Sequence, residues 1–340
     1  TDTDTDTDTD TDTDTDTDRD VGVVRAVAAM DVAQTALHAP PAAAPSRAVG
    51  AVGRRRRVAG ALMAAAAAAV VGVALAGPRG VVDGSCPAGM VRIAGAPFAE
   101  GSPADGETPT DETPLRLGDV AAFCMDVTEV SVRAYAACAG CGAPRTVDFE
   151  GLTPNGRAFE SQFCNGPQAP EHPMNCVDWS QASAYCASTG KRLPTETEWE
   201  LAARGPRRRT FPWGDDPPSE ARLNACGAEC SRMLGEARAR VGKGPWPAMH
   251  DRDDAAPATA DVGRYVEGAT PEGVLDLAGN VWEWTASAYC AHDSPDCGDS
   301  RRVLRGGGWD TTEPADVRAA RRFPSAPSAR GRSIGFRCAR

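Results

Sequence analysis

The sequence predicts a loop-rich, disulfide-stapled domain of short strands and a few helices, preceded by roughly 80 residues that do not look globular. All twelve cysteines lie at or beyond Cys86. From there, short apolar runs alternate with Gly, Pro and Asp clusters, a pattern typical of strands and turns. Two later segments carry complete helix-capping signals.

The first 53 residues are predicted to be a disordered tail and linker. Residues 1–18 consist of nine Thr-Asp repeats, which contribute nine of the net eleven negative charges and no apolar side chain. Such a tract cannot bury enough apolar surface to fold. The folded part therefore has no basic excess, and nothing in it favours a nucleic-acid partner.

Residues 54–78 predict a membrane anchor or a signal peptide. Arg54–Arg57 precede the uncharged run 58–77, whose twenty residues match the length that a helix needs to cross a bilayer. The arginines predict a cytoplasmic N-terminus. Alternatively, Ala74–Ala76 resembles a signal-peptide cleavage site. Either interpretation exports the domain that we expect over 84–340, which is membrane-anchored or secreted.

The even number of cysteines in an exported domain predicts disulfides. Cys290 and Cys297 bracket a six-residue loop that a disulfide can close. The alternative is zinc, because Cys138 and Cys141 are spaced C-x-x-C, and Cys226 and Cys230 are spaced C-x-x-x-C.

Capping residues locate three helices. Ser131 is expected to cap a helix that follows the strand Phe123–Val130. Asp178 or Ser180 opens a second helix, and Thr195 with Glu198 forms a capping box for a third. Residues 142–171 and 215–260 have little periodicity and are expected to be loops.

Residues Gly273–Trp284 form the central stretch of the domain. If this segment is extended, Trp282 and Trp284 face one side and Glu283 the other. The Gly279-Asn280 turn and the acids Asp276 and Glu283 can converge on a hard cation such as calcium. The alternative is a β-turn with solvated acids and core tryptophans.

A second stretch, Gly306–Trp309, has three consecutive glycines that let the backbone approach something closely. The simpler explanation is that Trp309 packs over a tight turn.

Five blocks together resemble the formylglycine-generating enzyme, or sulfatase-modifying factor, family. They are Glu171–Trp179, Gly190–Glu200, Leu275–Trp284, Arg305–Trp309 and Ile334–Cys338. The resemblance covers about 86–340 and implies a single α+β domain related to the C-type lectin fold, with little regular structure.

The resemblance also implies calcium sites and one disulfide. One calcium would take side-chain oxygens from Asp276 and Glu283 and carbonyls from Gly279 and Val281. A second would use Asn224, the carbonyl of Ala225, and Asp254. The implied disulfide joins Cys186 to Cys338.

The chain departs from the family in its chemistry. Active members bind copper(I) through two cysteines shortly after a Gly-Gly-Ser motif, since soft thiolates select that ion. Here Gly308 replaces the serine, and no cysteine lies between Trp309 and Arg337. Copper is therefore not expected. The iron-binding branch of the family uses histidines of an added domain, whereas His172, His250 and His292 are scattered singly.

The leading hypothesis is a non-catalytic binding or accessory module for a protein, peptide or glycan ligand. The alternative is an oxidoreductase of the same family with another metal, held near Gly308, Trp309, Asp310, Glu313 and Asp316. A third hypothesis keeps formylglycine generation with thiols taken from Cys290 and Cys297.

Overall fold

Eight short strands and five α-helices, joined by long connections, make up the part of the chain that the computed structural model describes. The described residues are 86–104, 109–142, 146–149, 152–240, 242, 244–291 and 300–340. The segments predicted as tail and membrane anchor, 1–53 and 54–78, lie outside them. Among the described residues, no helix is long and apolar enough to cross a membrane.

The strands form three small sheets. Strand β1 pairs with β4, strand β2 pairs with β3, and the third sheet has the order β7-β6-β5-β8. In that sheet β5 is antiparallel to β6 and parallel to β8. The strands are β1 Met90–Ile93, β2 Ala96–Glu100, β3 Arg116–Val120, β4 Phe123–Asp126, β5 Trp282–Ala288, β6 Arg302–Arg305, β7 Phe323–Ser325 and β8 Ile334–Gly335.

The helices are α1 Val132–Ala136, α2 Pro154–Glu160, α3 Trp179–Ser188, α4 Glu196–Arg204 and α5 Ala228–Ala239. The three predicted caps are confirmed. Ser131 accepts a hydrogen bond from the Ala134 N–H, and Asp178 and Thr195 each complete a capping box.

Two of the predicted loops contain helices, so these predictions were wrong in part. Helix α2 lies within 142–171, and it does carry a local signal, because Thr153 caps it and Pro154 occupies its first turn. Helix α5 lies within 215–260, and Gly227, the residue before it, has no side chain to cap it. Its helical state depends on packing of Cys230, Leu234 and Ala237 against the core, which a local pattern shows poorly.

Strand β5 separates two parts of the core. Trp282 and Trp284 pack into one cluster together with Ile334 and Phe336. Glu283 points away from that cluster and meets Trp199, which belongs to another cluster. The predicted alternation of this segment is therefore confirmed, and an acidic side chain is held inside the protein.

Five disulfides lie between described cysteines: Cys86–Cys124, Cys138–Cys141, Cys164–Cys176, Cys186–Cys338 and Cys226–Cys230. The pairing of Cys186 with Cys338 is confirmed. Both closely spaced pairs are bridged, so the zinc alternative was wrong. Cys290 is disulfide-bonded, while Cys297 lies outside the described residues. This number of disulfides is consistent with an extracytoplasmic location.

Candidate functional site

The turn before β5 is held by close backbone packing. Asp276, Gly279 and Asn280 all have positive φ, of 57°, 80° and 58°. A Cβ on Gly279 would lie 2.2 Å from the Asn224 carbonyl oxygen, so only glycine fits there. The Asn280 amide oxygen accepts hydrogen bonds from the Ala260 N–H at 2.9 Å and from the Asn224 side chain at 3.0 Å. The turn that carries the first predicted calcium site is therefore in direct contact with Asn224 of the second.

Glu283 is paired with an arginine that the sequence reasoning missed. Arg337 Nη2 lies 2.7 Å from Glu283 Oε1, and Trp199 Nε1 donates to Oε2 at 2.8 Å. Both Glu283 and Arg337 are buried. A calcium ion at Glu283 would have to share the carboxylate with this guanidinium. The sequence does contain a sign of this pairing, because Arg337 is the only charged residue in the apolar stretch Ile334–Cys338.

Glu129 is a second acid that the sequence reasoning missed, and it lies beside Asp276. Its side chain is 2% exposed, and neither carboxylate oxygen has a hydrogen-bond partner. Burial, followed by the charge of Asp276, raises the pKa of Glu129 well above its usual value. Burial also raises the pKa of Asp276, although the Gly263 N–H donates to its carboxylate. Glu129, with both oxygens unsatisfied, lies beside Asp276, and it fits a hard cation better than Glu283, which Arg337 already pairs.

The second predicted site contains three buried side chains with orphaned oxygens. Asn224 Oδ1, Asp254 Oδ2 and both carboxylate oxygens of Glu229 have no hydrogen-bond partner. The Asn224 amide nitrogen donates to the Ala258 carbonyl at 2.9 Å and to the Asn280 amide oxygen at 3.0 Å, so its own oxygen keeps no partner. Burial and the neighbouring Glu229 raise the pKa of Asp254 to about 8. Ala225 is buried at the same place, with its N–H near the Asp254 carboxylate.

Glu229 was missed as a candidate ligand in the sequence because helix α5, which has no local capping signal, was missed as well. It lies in the first turn of that helix, 25 residues before Asp254 in the chain, so its position is visible only when the helix is folded. The Cys226–Cys230 disulfide brackets it and restricts its backbone.

The donor types in both places are those that calcium prefers. In the described part of the chain, no three His, Cys, Asp or Glu side chains are arranged to hold a metal ion. Two free carboxylates with amide and carbonyl oxygens are instead a hard-oxygen set, which suits calcium and not copper, zinc or iron. The residues present thus fit the ion that the resemblance implies.

The glycines of Gly306–Gly308 are explained by packing against the chain itself. A Cβ on Gly307 would lie 2.6 Å from Val317 Cγ1, and one on Gly308 would lie 2.8 Å from Ser333 Cβ. The Gly308 N–H donates to the Thr311 hydroxyl at 2.9 Å. Of the two interpretations of this stretch, the structure supports a packed turn.

Trp309 is fully buried beneath that turn. It contacts the Phe163 ring at 5.4 Å between centroids, and the Arg332 guanidinium lies 5.0 Å from its ring. Arg332 also pairs with Asp310 at 3.0 Å and with Glu160 at 3.2 Å.

The acids of this loop do not gather into a site. Asp310 is paired with Arg332, Asp316 is paired with Arg321 at 2.9 Å, and Glu313 is exposed to solvent. No free cysteine is present among the described residues, and Cys290 is in a disulfide. The loop therefore offers neither the thiols for copper nor converging carboxylates for another metal.

The histidines do not gather either. His172 contacts the Thr259 hydroxyl at 2.9 Å, and His250 contacts the Arg252 carbonyl at 3.0 Å. His292 lies outside the described residues.

These features define a class of protein: a disulfide-braced α+β domain of irregular loops around buried ion pairs, with buried acids beside its central turn. Residues 81–340 match the family described as the Sulfatase-modifying factor enzyme 1-like domain. The chain belongs to this family, which includes the formylglycine-generating enzymes.

Three relatives show the range of the family. A formylglycine-generating enzyme of Streptomyces coelicolor is 31% identical over 299 residues, covering 74% of this chain and 88% of that protein. The bovine "Inactive C-alpha-formylglycine-generating enzyme 2" is 36% identical over 174 residues, which is 50% of each chain. The structure of PvdO from Pseudomonas aeruginosa aligns with a TM-score of 0.53 and 26% identity, covering 74% of this chain and 93% of that one.

Proposed function

We propose that this chain is an exported, calcium-braced member of the family that binds a ligand instead of converting cysteines to formylglycine with copper. In this proposal the domain is a binding or accessory module, and its ligand is a protein, peptide or glycan held by loops on a rigid frame. Residues 58–77 would tether it to the membrane where they are not cleaved.

The observation that carries the proposal is the content of the loop after Gly308. Where active relatives need two thiolates, this loop has no cysteine, and its acids Asp310 and Asp316 are already paired with arginines. Thiolate ligands stabilise copper(I) because both are soft, and carboxylates and hydroxyls do not replace them. The bovine relative, whose name describes it as inactive, supports the existence of non-catalytic members of the family.

The calcium ions belong to the same proposal. Asn224, Glu229, Asp254 and the carbonyl of Ala225 would hold one ion, and Asp276, Glu129 and the carbonyls of Gly279 and Val281 the other. Glu283 would contribute to the second ion only through an oxygen that Arg337 leaves accessible. The ions would supply structural bracing, since they neutralise carboxylates that otherwise lie buried and unpaired.

An oxygen-consumption assay tests the catalytic part of the proposal. The purified protein is loaded with copper(I) or iron(II) and given a Cys-x-Pro-x-Arg peptide, with the Streptomyces coelicolor enzyme as the active control. We expect no oxygen uptake above that of the metal and peptide without protein, and no formylglycine in the peptide by mass spectrometry.

Metal-dependent oxygen uptake together with conversion of the peptide cysteine would overturn the binding-module proposal. It would favour the oxidoreductase alternative, in which case Asp310→Asn and Asp316→Asn should abolish the turnover while Asp119→Asn, on strand β3, leaves it unchanged.

A further inference from the structure

The Cys138–Cys141 disulfide combines a short span with a partly exposed cysteine at which two surface cavities meet. It directly follows helix α1 and spans only three positions of the chain. Because the stability that a disulfide contributes increases with the length of the loop it closes, so short a ring contributes little to the fold. The Cys226–Cys230 bridge is similarly short, but both of its cysteines are fully buried. Cys138 is partly exposed.

Two surface cavities meet at Cys138. One has a volume of about 420 Å³ and is lined by Ala137, Cys138 and Tyr185; the other has a volume of about 440 Å³ and is lined by Ala136, Cys138 and Met174. Their walls are mainly alanine, glycine and apolar side chains. A peptide segment can therefore lie on either side of the sulfur atom, which neither Ala139 nor Gly140 shields with a long side chain.

The two cysteines have different environments. Cys141 is 4% exposed and lies in the core, whereas Cys138 Sγ reaches the surface within 3.4 Å of the Ser188 hydroxyl. The loop does not depend on the bridge for its position. The Tyr135 hydroxyl donates to the Cys141 carbonyl at 2.7 Å, and the Cys138 N–H donates to the Tyr135 carbonyl at 3.0 Å.

We propose that Cys138–Cys141 is a redox-active disulfide that accepts two electrons from the dithiol of a peptide bound in these cavities. A substrate thiolate attacks Cys138 Sγ, the Cys138–Cys141 bond breaks, and its electron pair goes to Cys141 Sγ, which takes up a proton because the core disfavours a charge. The second substrate thiolate then attacks the substrate sulfur of the mixed disulfide. The peptide leaves as a disulfide, and Cys138 and Cys141 are left as thiols. A low-molecular-weight disulfide can restore the bridge by the reverse exchange.

Differential labelling of the whole protein tests this proposal. The protein is incubated with one equivalent of a synthetic peptide dithiol, quenched in acid, labelled with a maleimide and mapped by mass spectrometry. Label is expected at Cys138 and Cys141 at least ten-fold faster than at the Cys86–Cys124 or Cys226–Cys230 pairs. Equal rates at all three pairs would show that the bridge is only a structural staple.

Two variants separate binding in the cavities from simple accessibility of the sulfur atom. Ala136→Trp and Ala137→Trp are each placed to fill one cavity. At least one of them should slow exchange with the peptide several-fold while leaving exchange with dithiothreitol unchanged. If neither variant alters the ratio of the two rates, peptide binding in the cavities is wrong.

The mixed disulfide gives an independent readout. Cys141→Ala leaves a single thiol at Cys138, which should form a mixed disulfide with the oxidised peptide. The matched control Cys230→Ala leaves its thiol at the buried Cys226 and should form none. Near-ultraviolet circular dichroism of both variants confirms the fold, and an unreactive Cys138 in a folded Cys141→Ala protein would overturn the proposal.

Discussion

Removal of calcium is expected to lower the melting temperature of this protein, and the loss should be larger at pH 8 than at pH 5. Without a cation, the folded-state pKa of Asp254 is about 8, well above its unfolded value of 3.8. The stability that its neutral form contributes is present below about pH 4 and is lost as the pH rises through 8. The pKa of Glu129 is raised in the same direction, so its contribution has the same sign.

Calcium reverses this dependence, because it binds the ionised carboxylates. A free concentration of one hundred times the dissociation constant stabilises the folded state by about 2.7 kcal/mol. For a domain of this size, that corresponds to a shift of roughly 5–10 °C. Calorimetric scans in excess calcium and in a chelator, at both pH values, measure it. Identical melting temperatures with and without calcium at pH 8 would contradict the proposed sites.

Glu229→Gln is the sharpest variant for the second site. It removes a carboxylate from calcium but also removes the charge that raises the pKa of Asp254. We expect weaker calcium binding by titration calorimetry and, in the chelator, a higher melting temperature than wild type at pH 8. Glu236→Gln, on the exposed face of the same helix, is the matched control and should change neither quantity.

Arg305→Met is expected to destabilise the protein by about 3–5 kcal/mol, because removal of one member of a buried ion-pair network leaves the others uncompensated. Arg305 is fully buried. Its Nη2 lies 2.7 Å from Glu196, 2.8 Å from Glu200 and 3.9 Å from Glu100. Arg322 would remain paired with Glu196, and Arg204 with Glu200. Urea unfolding with disulfides intact measures the change.

Two comparisons show whether the network or the charge alone matters. Arg305→Lys keeps the charge but cannot fork between two carboxylates, so most of the loss should remain. Arg133→Met removes an exposed pair with Glu171, whose side chains are 66% and 50% exposed, and should cost less than about 1 kcal/mol. An Arg305→Met protein as stable as Arg133→Met would show that the buried network contributes no net stability.

The sequence predictions were correct for interactions between residues close together in the chain and failed for interactions between distant residues. The caps at Asp178 and Thr195 use partners three residues away, so a short window of sequence contains the whole interaction. Helix α5 begins without a side-chain cap, and its burial depends on Trp246 and Trp309, which lie outside the helix. The same limit applies to the candidate sites. Asp276 was predicted from a local motif and Asn224 from the family resemblance, whereas Glu129 and Glu229 become candidates only because folding brings them to these residues.

The sequence by itself determined the family, the number and positions of the cysteines, and the absence of thiols from the loop after Gly308. No arrangement of the backbone can add a thiolate where the interval from Trp309 to Arg337 encodes none. Only the tertiary structure decided which acids are paired and which keep oxygens without a partner. Glu283 is neutralised by Arg337, 54 residues further along the chain, while Glu129 and Glu229 keep unpaired oxygens in the interior. A carboxylate's partners are set by long-range packing, and packing also determines whether water can reach it.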